Sequence, residues 1–125
     1  MRTLPRLLPA LLLIAAVGCI HRRPVATRDA ELLTQAEMLE QHFTTVHDAV
    51  SSLRANWLNV RGTDSFTTPS QVWVYFDQTR LGGVDELRAV PVNTIEWVRH
   101  YNGVDATMRW GVGHSAGVIL LSSHR

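Results

Sequence analysis

From residue 29 onward, apolar side chains recur at alternating steps of four and three: Leu32, Ala36, Leu39, Phe43, Val46, Val50, Leu53 and Trp57. That spacing draws one stripe along a helix and predicts helix over 29–62. Thr27 or Asp29 supplies an N-cap and Glu31 an acidic residue in the first turn. Arg54 and Arg61 place cations near the far end, and Gly62 stops the helix. The β-branched run Thr44-Thr45-Val46 weakens the pattern midway, where a kink or a split into two shorter helices is expected. The stripe also fits a coiled coil. It is short, however, and contains Ala, Phe and Trp, so it reads as a helix packed on its own domain.

Past Gly62 the pattern changes to that of strands and turns. A polar loop, 63–70, leads into Val72-Trp73-Val74-Tyr75-Phe76, aromatic and β-branched throughout and therefore a strand. Asp77-Gln78 forms a tight turn and 79–81 a return strand. Gly82-Gly83 interrupts; 85–89 is a helical turn and Pro91 opens another. A second strand, 95–101, ends at Asn102-Gly103, and a short helix follows over 104–110. Gly111, Gly113 and Gly117 make a bend before 118–121, a wholly apolar run that fits a central strand. The fold class is α+β: a long N-terminal helix packed on a small mixed sheet with short helices. The sheet portion is small for an independent core, so the helix stripe is expected to cover one face. Trp57, Phe76 and the 118–121 run are expected to be buried.

The first nineteen residues differ in kind. Arg2 and Arg6 precede an apolar stretch over 7–17, broken only by Pro9. It is too short to span a bilayer as a mature helix and suits the core of a signal peptide. It closes on Ala16-Val17-Gly18-Cys19, which resembles the lipobox of bacterial lipoproteins, although that family usually has Leu where Ala16 stands. The resemblance implies a signal peptide at 1–18, acylation of Cys19 with palmitate-type chains, a tether at 19–28, and anchoring to the membrane. An ordinary signal peptide with a chance cysteine is the alternative. Cys19 is the sole cysteine, so it has no internal disulfide partner. Each buried CH₂ contributes about 0.8 kcal/mol, so several acyl chains anchor firmly where one does so marginally. Ile20, not Asp, follows the cysteine, which favours the outer membrane, with the domain facing the periplasm.

Charge adds little. All 12 cations are arginines, against 11 carboxylates, for a formal +1; losing Arg2 and Arg6 leaves −1. The arginines do not cluster as a nucleic-acid footprint does, so no nucleic-acid partner is expected. His42 and His47 are five apart and share no helical face, so no metal is expected, and no cofactor is implied.

Gly113-His114-Ser115-Ala116-Gly117 fits the G-x-S-x-G of a nucleophile elbow. An elbow needs a strand before the serine and a helix after it. Here a poor strand precedes and an apolar strand-like run follows. A Ser–acid–His order also needs a carboxylate after Ser115, and none follows. The glycines read as backbone positions, and a small hydrolase using Ser115 is the least favoured function.

Four segments in order are similar to the plug domain of TonB-dependent outer-membrane receptors. They are the 72–76 strand with Asp77 at its turn; Val90-Pro91-Val92-Asn93-Thr94-Ile95-Glu96-Trp97-Val98; the 106–111 turn ending in Trp110-Gly111; and Gly113 through Leu121. The resemblance spans roughly 71–122 and implies a small mixed sheet with short helices, a plug-like α+β domain over 63–125. The sequence closes three residues after Ser122 without the alternating strands of a barrel, so transport is not expected. The expected function is a non-catalytic, lipid-anchored, plug-like interaction module. An outer-membrane or envelope protein would be its partner, met through Trp73 and Tyr75. A periplasmic small-ligand module using His100, Arg99 and Arg109 near the glycine bend is the alternative. The candidate contact residues are therefore Trp73, Tyr75, Arg99, Arg109 and His114, beside the lipid site Cys19.

Overall fold

The computed structural model describes residues 28–61, 66–67 and 69–123. The signal peptide, Cys19 and all of the tether but Arg28 lie outside the described residues. The chain forms a mixed α+β domain around one five-stranded sheet. In chain order the elements are β1 (Leu32–Thr34), α1 (Gln35–Glu40), α2 (Val46–Leu53), β2 (Trp73–Phe76), β3 (Thr79–Gly82), β4 (Trp97–Tyr101), α3 (Gly103–Trp110) and β5 (Val118–Ser122). Short 3₁₀ segments occupy Ala55–Leu58, Val84–Ala89 and Val92–Thr94. The strand order is β1-β4-β5-β2-β3. β5 lies in the middle, antiparallel to β4 and parallel to β2, and the edge strands β1 and β3 are each antiparallel to their neighbour.

β5 is buried along its whole length, which is why it is apolar without alternation. Ile119 and Leu121 join Leu33, Val74 and Val98 in the larger core. The 29–58 segment covers that face with Met38, Val46, Ala49, Val50 and Trp57, and Leu87, Val92 and Ile95 close it. Val118 and Leu120 face the other way, against Tyr75 and Ala106 of α3. The expected burial of Trp57 and of 118–121 is seen, while Phe76 is half-buried.

The single helix over 29–62 is not what forms. Leu32 to Thr34 pair with β4, Leu33 opposite Val98, and make an edge strand instead. Thr34 ends that strand and caps α1 in a capping box, each of Thr34 and Glu37 bonding the other's backbone N–H through its side chain. α1 closes after Glu40 in a Schellman motif: Phe43 N–H donates to Met38 O at 3.1 Å and His42 N–H to Leu39 O at 2.9 Å, with His42 at φ 61°. The β-branched run then breaks the helix, Thr45 being extended at φ −111° and ψ 152°. Thr44 O accepts from Val92 N–H, Val46 N–H donates to Val90 O, and Thr45 Oγ1 accepts from Asp48 N–H to start α2. The four-and-three stripe was therefore partly coincidental. Ala36 and Leu39 are exposed, and Leu33 and Met38 do the burying in their place.

The β2–β3 turn puts Asp77 at φ 52°, a conformation that Asp tolerates better than most residues. Its carboxylate accepts from Ser123 N–H at 3.0 Å and Ser123 Oγ–H at 2.6 Å, and so ties the hairpin to the end of β5.

Candidate functional site

Strand alternation sends Trp73 and Tyr75 to the α3 side of the sheet. Tyr75 lies in line with Leu120 and Arg99, and Trp73 with Val118 and Tyr101. Asn102 starts α3 by accepting from Val104 N–H and Asp105 N–H through its side-chain oxygen. One helix length later Trp110 meets Tyr75 with ring centroids 5.2 Å apart and Tyr101 edge-on at 5.1 Å. Gly111, at φ 89°, then turns the chain back toward β5.

His114 is buried inside this turn. Its Nδ1 lies 3.0 Å from Gly111 O; a carbonyl only accepts, so the ring proton sits on Nδ1. Nε2 then accepts from Tyr75 O–H at 2.9 Å. Trp73 Nε1–H donates to Gly113 O at 2.9 Å. Two sheet residues thus hold the 111–117 loop by its backbone and its one imidazole. The Arg80 guanidinium lies over Trp73, 4.6 Å from the ring centroid. Arg109 lies 4.8 Å from the Trp110 centroid and 5.2 Å from that of Tyr101, and donates to Tyr101 Oη at 2.8 Å. Arg99 pairs with Asp29 at 3.3 Å.

Trp73, Tyr75, Arg99, Arg109 and His114 therefore share one side of the sheet. Tyr75 and His114 are consumed in holding the loop, whereas Trp73, Arg99 and Arg109 reach the surface. Arg80 and Trp97 complete this aromatic and arginine face. Trp97 stands two residues before Arg99, so alternation along β4 could have found it. Arg80 becomes visible only through its pairing with Tyr75 across the hairpin.

The Gly113–Gly117 segment is a loop between α3 and β5, so Ser115 stands between helix and strand, the inverse of an elbow. Gly113 takes a positive φ of 93° in open space, whereas Gly117 serves close packing. A Cβ on Gly117 would lie 2.9 Å from Tyr101 O, and the backbone there is at φ 105°.

A second constellation lies at the start of α3. His100 points to the opposite sheet face from Arg99, and its ring stacks on Trp57, centroids 5.6 Å apart and 11° from parallel. Its Nδ1 is bonded to Glu31 Oε2. Glu31, Asn56, Asn59, Arg61, His100 and Asn102 line a polar cleft of about 130 Å³. Beside it runs an apolar groove of about 670 Å³ between Arg61, Val104, Thr107, Met108 and Ser115. The proposed trio of His100, Arg99 and Arg109 is not brought together, since only His100 lines the cleft. Among the described residues no group of His, Cys, Asp and Glu could hold a metal ion, and no helix is long and apolar enough to cross a membrane.

Comparison with protein-family models, with curated proteins and with solved structures finds no match for this chain. The class that stands on the structure is a mixed α+β domain with one five-stranded sheet.

Proposed function

We propose that the chain is a lipid-anchored, plug-like interaction module of the bacterial cell envelope, without catalytic function, that meets a protein partner through the α3 side of its sheet. The observation that carries this reading is the composition of that face. Half-buried Trp73, Trp97, Tyr101 and Trp110 lie there with Arg80, Arg99 and Arg109. Tryptophan, tyrosine and arginine dominate binding energy at protein interfaces. Arginines already laid on rings lose less side-chain freedom on docking than free ones do. Arg99 is already paired with Asp29, but Arg80 and Arg109 form no ion pair with a described residue, and two such cations match an acidic partner surface.

Two features of the sequence support the envelope setting. The Ala16-Val17-Gly18-Cys19 run is similar to a lipobox, and the tether from Cys19 to Arg28 reaches at most about 30 Å, which keeps the domain beside the bilayer. The likeness of 71–122 to a receptor plug supports a partner among outer-membrane or envelope proteins.

The test places a photo-crosslinking side chain at exposed Arg80 in one strain and at exposed Glu40, outside this face, in another. Both are irradiated in intact cells, with and without Cys19→Ala. The reading expects one discrete adduct from position 80, none from position 40, and loss of the adduct when Cys19 is replaced. Equal labelling from both positions, or an adduct indifferent to Cys19, defeats it.

A further inference from the structure

The polar cleft and the apolar groove meet. Arg61, Asn102 and Gly103 line both. We infer that together they form one binding site for a free single-chain amphiphile with an anionic head, the head in the Asn56–Asn59–Arg61 cleft and the alkyl chain along α3. This inference uses neither the α3-side interface nor the envelope reading.

The chain end is defined by α3. Its inner side buries Ala106, while Val104 and Met108, one turn apart, and Val112 beyond the helix are exposed to 71%, 83% and 93%. A short surface helix normally turns polar residues to water, and Val104 and Met108, in register on α3 and both lining the groove, form an unpartnered apolar ridge. The groove beside it falls within the size range of small-ligand sites, about 300–1,000 Å³.

The head end is defined by hydrogen-bonding capacity. Asn102 is spent on capping α3, its Nδ2–H also donating to Asp105 at 2.8 Å. The single carboxylate lining the cleft, Glu31, is engaged by His100. Asn56, Asn59 and Arg61 make no side-chain hydrogen bond to any described residue. Two carboxamides and a guanidinium offer donors in excess of acceptors, which suits a head rich in acceptors: a carboxylate or a phosphate. A site that is apolar at one end and donor-rich at the other selects a ligand with the same asymmetry. The acyl chains expected on Cys19 carry no free anionic group and so lack that match.

Calorimetric titration of the full chain carrying Cys19→Ala tests the inference, the substitution removing any acyl chain of its own. The probes are laurate, dodecyl phosphate and the uncharged dodecyl maltoside, each below its micellar concentration. One-site saturation by laurate, dodecyl phosphate or both is expected, at least about tenfold tighter than the maltoside, which corresponds to about 1.4 kcal/mol. Met108→Asp in the chain end and Arg61→Gln in the head end should each weaken binding about tenfold. Both side chains are exposed, so the melting temperature should fall by no more than a few degrees, the aspartate opposing the dipole at the end of α3. Saturation by only one of the anionic probes supports the site and identifies its head group. Failure of both to saturate overturns the inference, as does equal affinity for the maltoside or unchanged affinity in either variant. Crosslinking from position 80 is unaffected by any of these outcomes, so the two proposals fail separately.

Discussion

Replacing Gly103 by Ala puts the close approach of α3 and the 113–117 loop to a quantitative test. Helix propensity alone favours the change, since Ala exceeds Gly by up to about 1 kcal/mol in a helix, and by less at the first position after the Asn102 cap. The structure predicts the opposite sign. A Cβ at position 103 would stand 1.9 Å from Ser115 O, 2.7 Å from Ser115 C and 3.2 Å from Ser115 Cα, where ordinary contact begins near 3.4 Å. All three atoms are backbone, so no flexible tip can swing aside. The loop that carries them is fixed on both sides, by Tyr75 on His114 and by Gly117 against Tyr101. Overpacking of this kind costs about 1–3 kcal/mol, and a backbone clash lies at the upper end. Set against the propensity gain, the net loss is about 2 kcal/mol. A domain of this size loses about 4–8 °C per kcal/mol, so the melting temperature should fall by about 8–16 °C. Thermal unfolding followed by circular dichroism, beside a urea titration, measures it. Gly111→Ala separates the two causes: nothing lies within 4 Å of its added Cβ, so its loss of about 1–3 kcal/mol comes from the backbone alone, at φ 89° and ψ −168°, a region that only glycine adopts freely. A Gly103→Ala protein as stable as the parent, or more so, would show that α3 and the loop are not in contact as described.

The other expectations are smaller in scale. Tyr75→Phe leaves the buried Nε2 of His114 without its donor and should cost about 1–3 kcal/mol in urea unfolding, whereas Tyr101→Phe, whose hydroxyl bonds only exposed Arg109, should cost less. His42→Gly removes a non-glycine residue from the left-handed position that ends α1 and should stabilise the fold by up to about 1 kcal/mol, read as a rise in melting temperature. Thr34→Ala breaks the capping box and should cost about 1 kcal/mol by the same assay. A fragment starting at residue 60 lacks Leu33, Met38, Val46, Ala49, Val50 and Trp57 from the larger core and should show no cooperative melt; a sharp transition would mean that the remaining core suffices.

The strands were legible where the pattern was local. Trp73 to Phe76, the Asp77 turn and the apolar 118–121 run state their conformation in their own residues, and Asn102-Gly103 marks the start of α3. β1 was not legible. Leu32-Leu33-Thr34 suits a helix as well as a strand, and only pairing with β4, some 65 residues away, decides it. The end of α1 was hidden because the position that usually holds Gly holds His42. Alternation put Trp73 and Tyr75 on one face correctly, but that His114 spends its imidazole on Tyr75 follows from the fold of the 111–117 loop. The cleft was out of reach. Glu31, Asn56, Arg61, His100 and Asn102 come from separate segments, gathered by the β1–β4 pairing and by Trp57 stacking on His100.

The central place of β5 has a consequence for how the molecule comes into being. Every other described element is synthesised before it. Until Val118 to Ser122 emerge, β1 has only β4 beside it and β2 has only β3, two ribbons with no common neighbour and each too slight to stand alone. The parallel β2–β5 junction then closes across more than 40 residues of chain, a slow kind of contact to form. The domain is thus kept from maturing until its central strand has been made. That delay leaves a long interval in which the polypeptide remains a pliant thread.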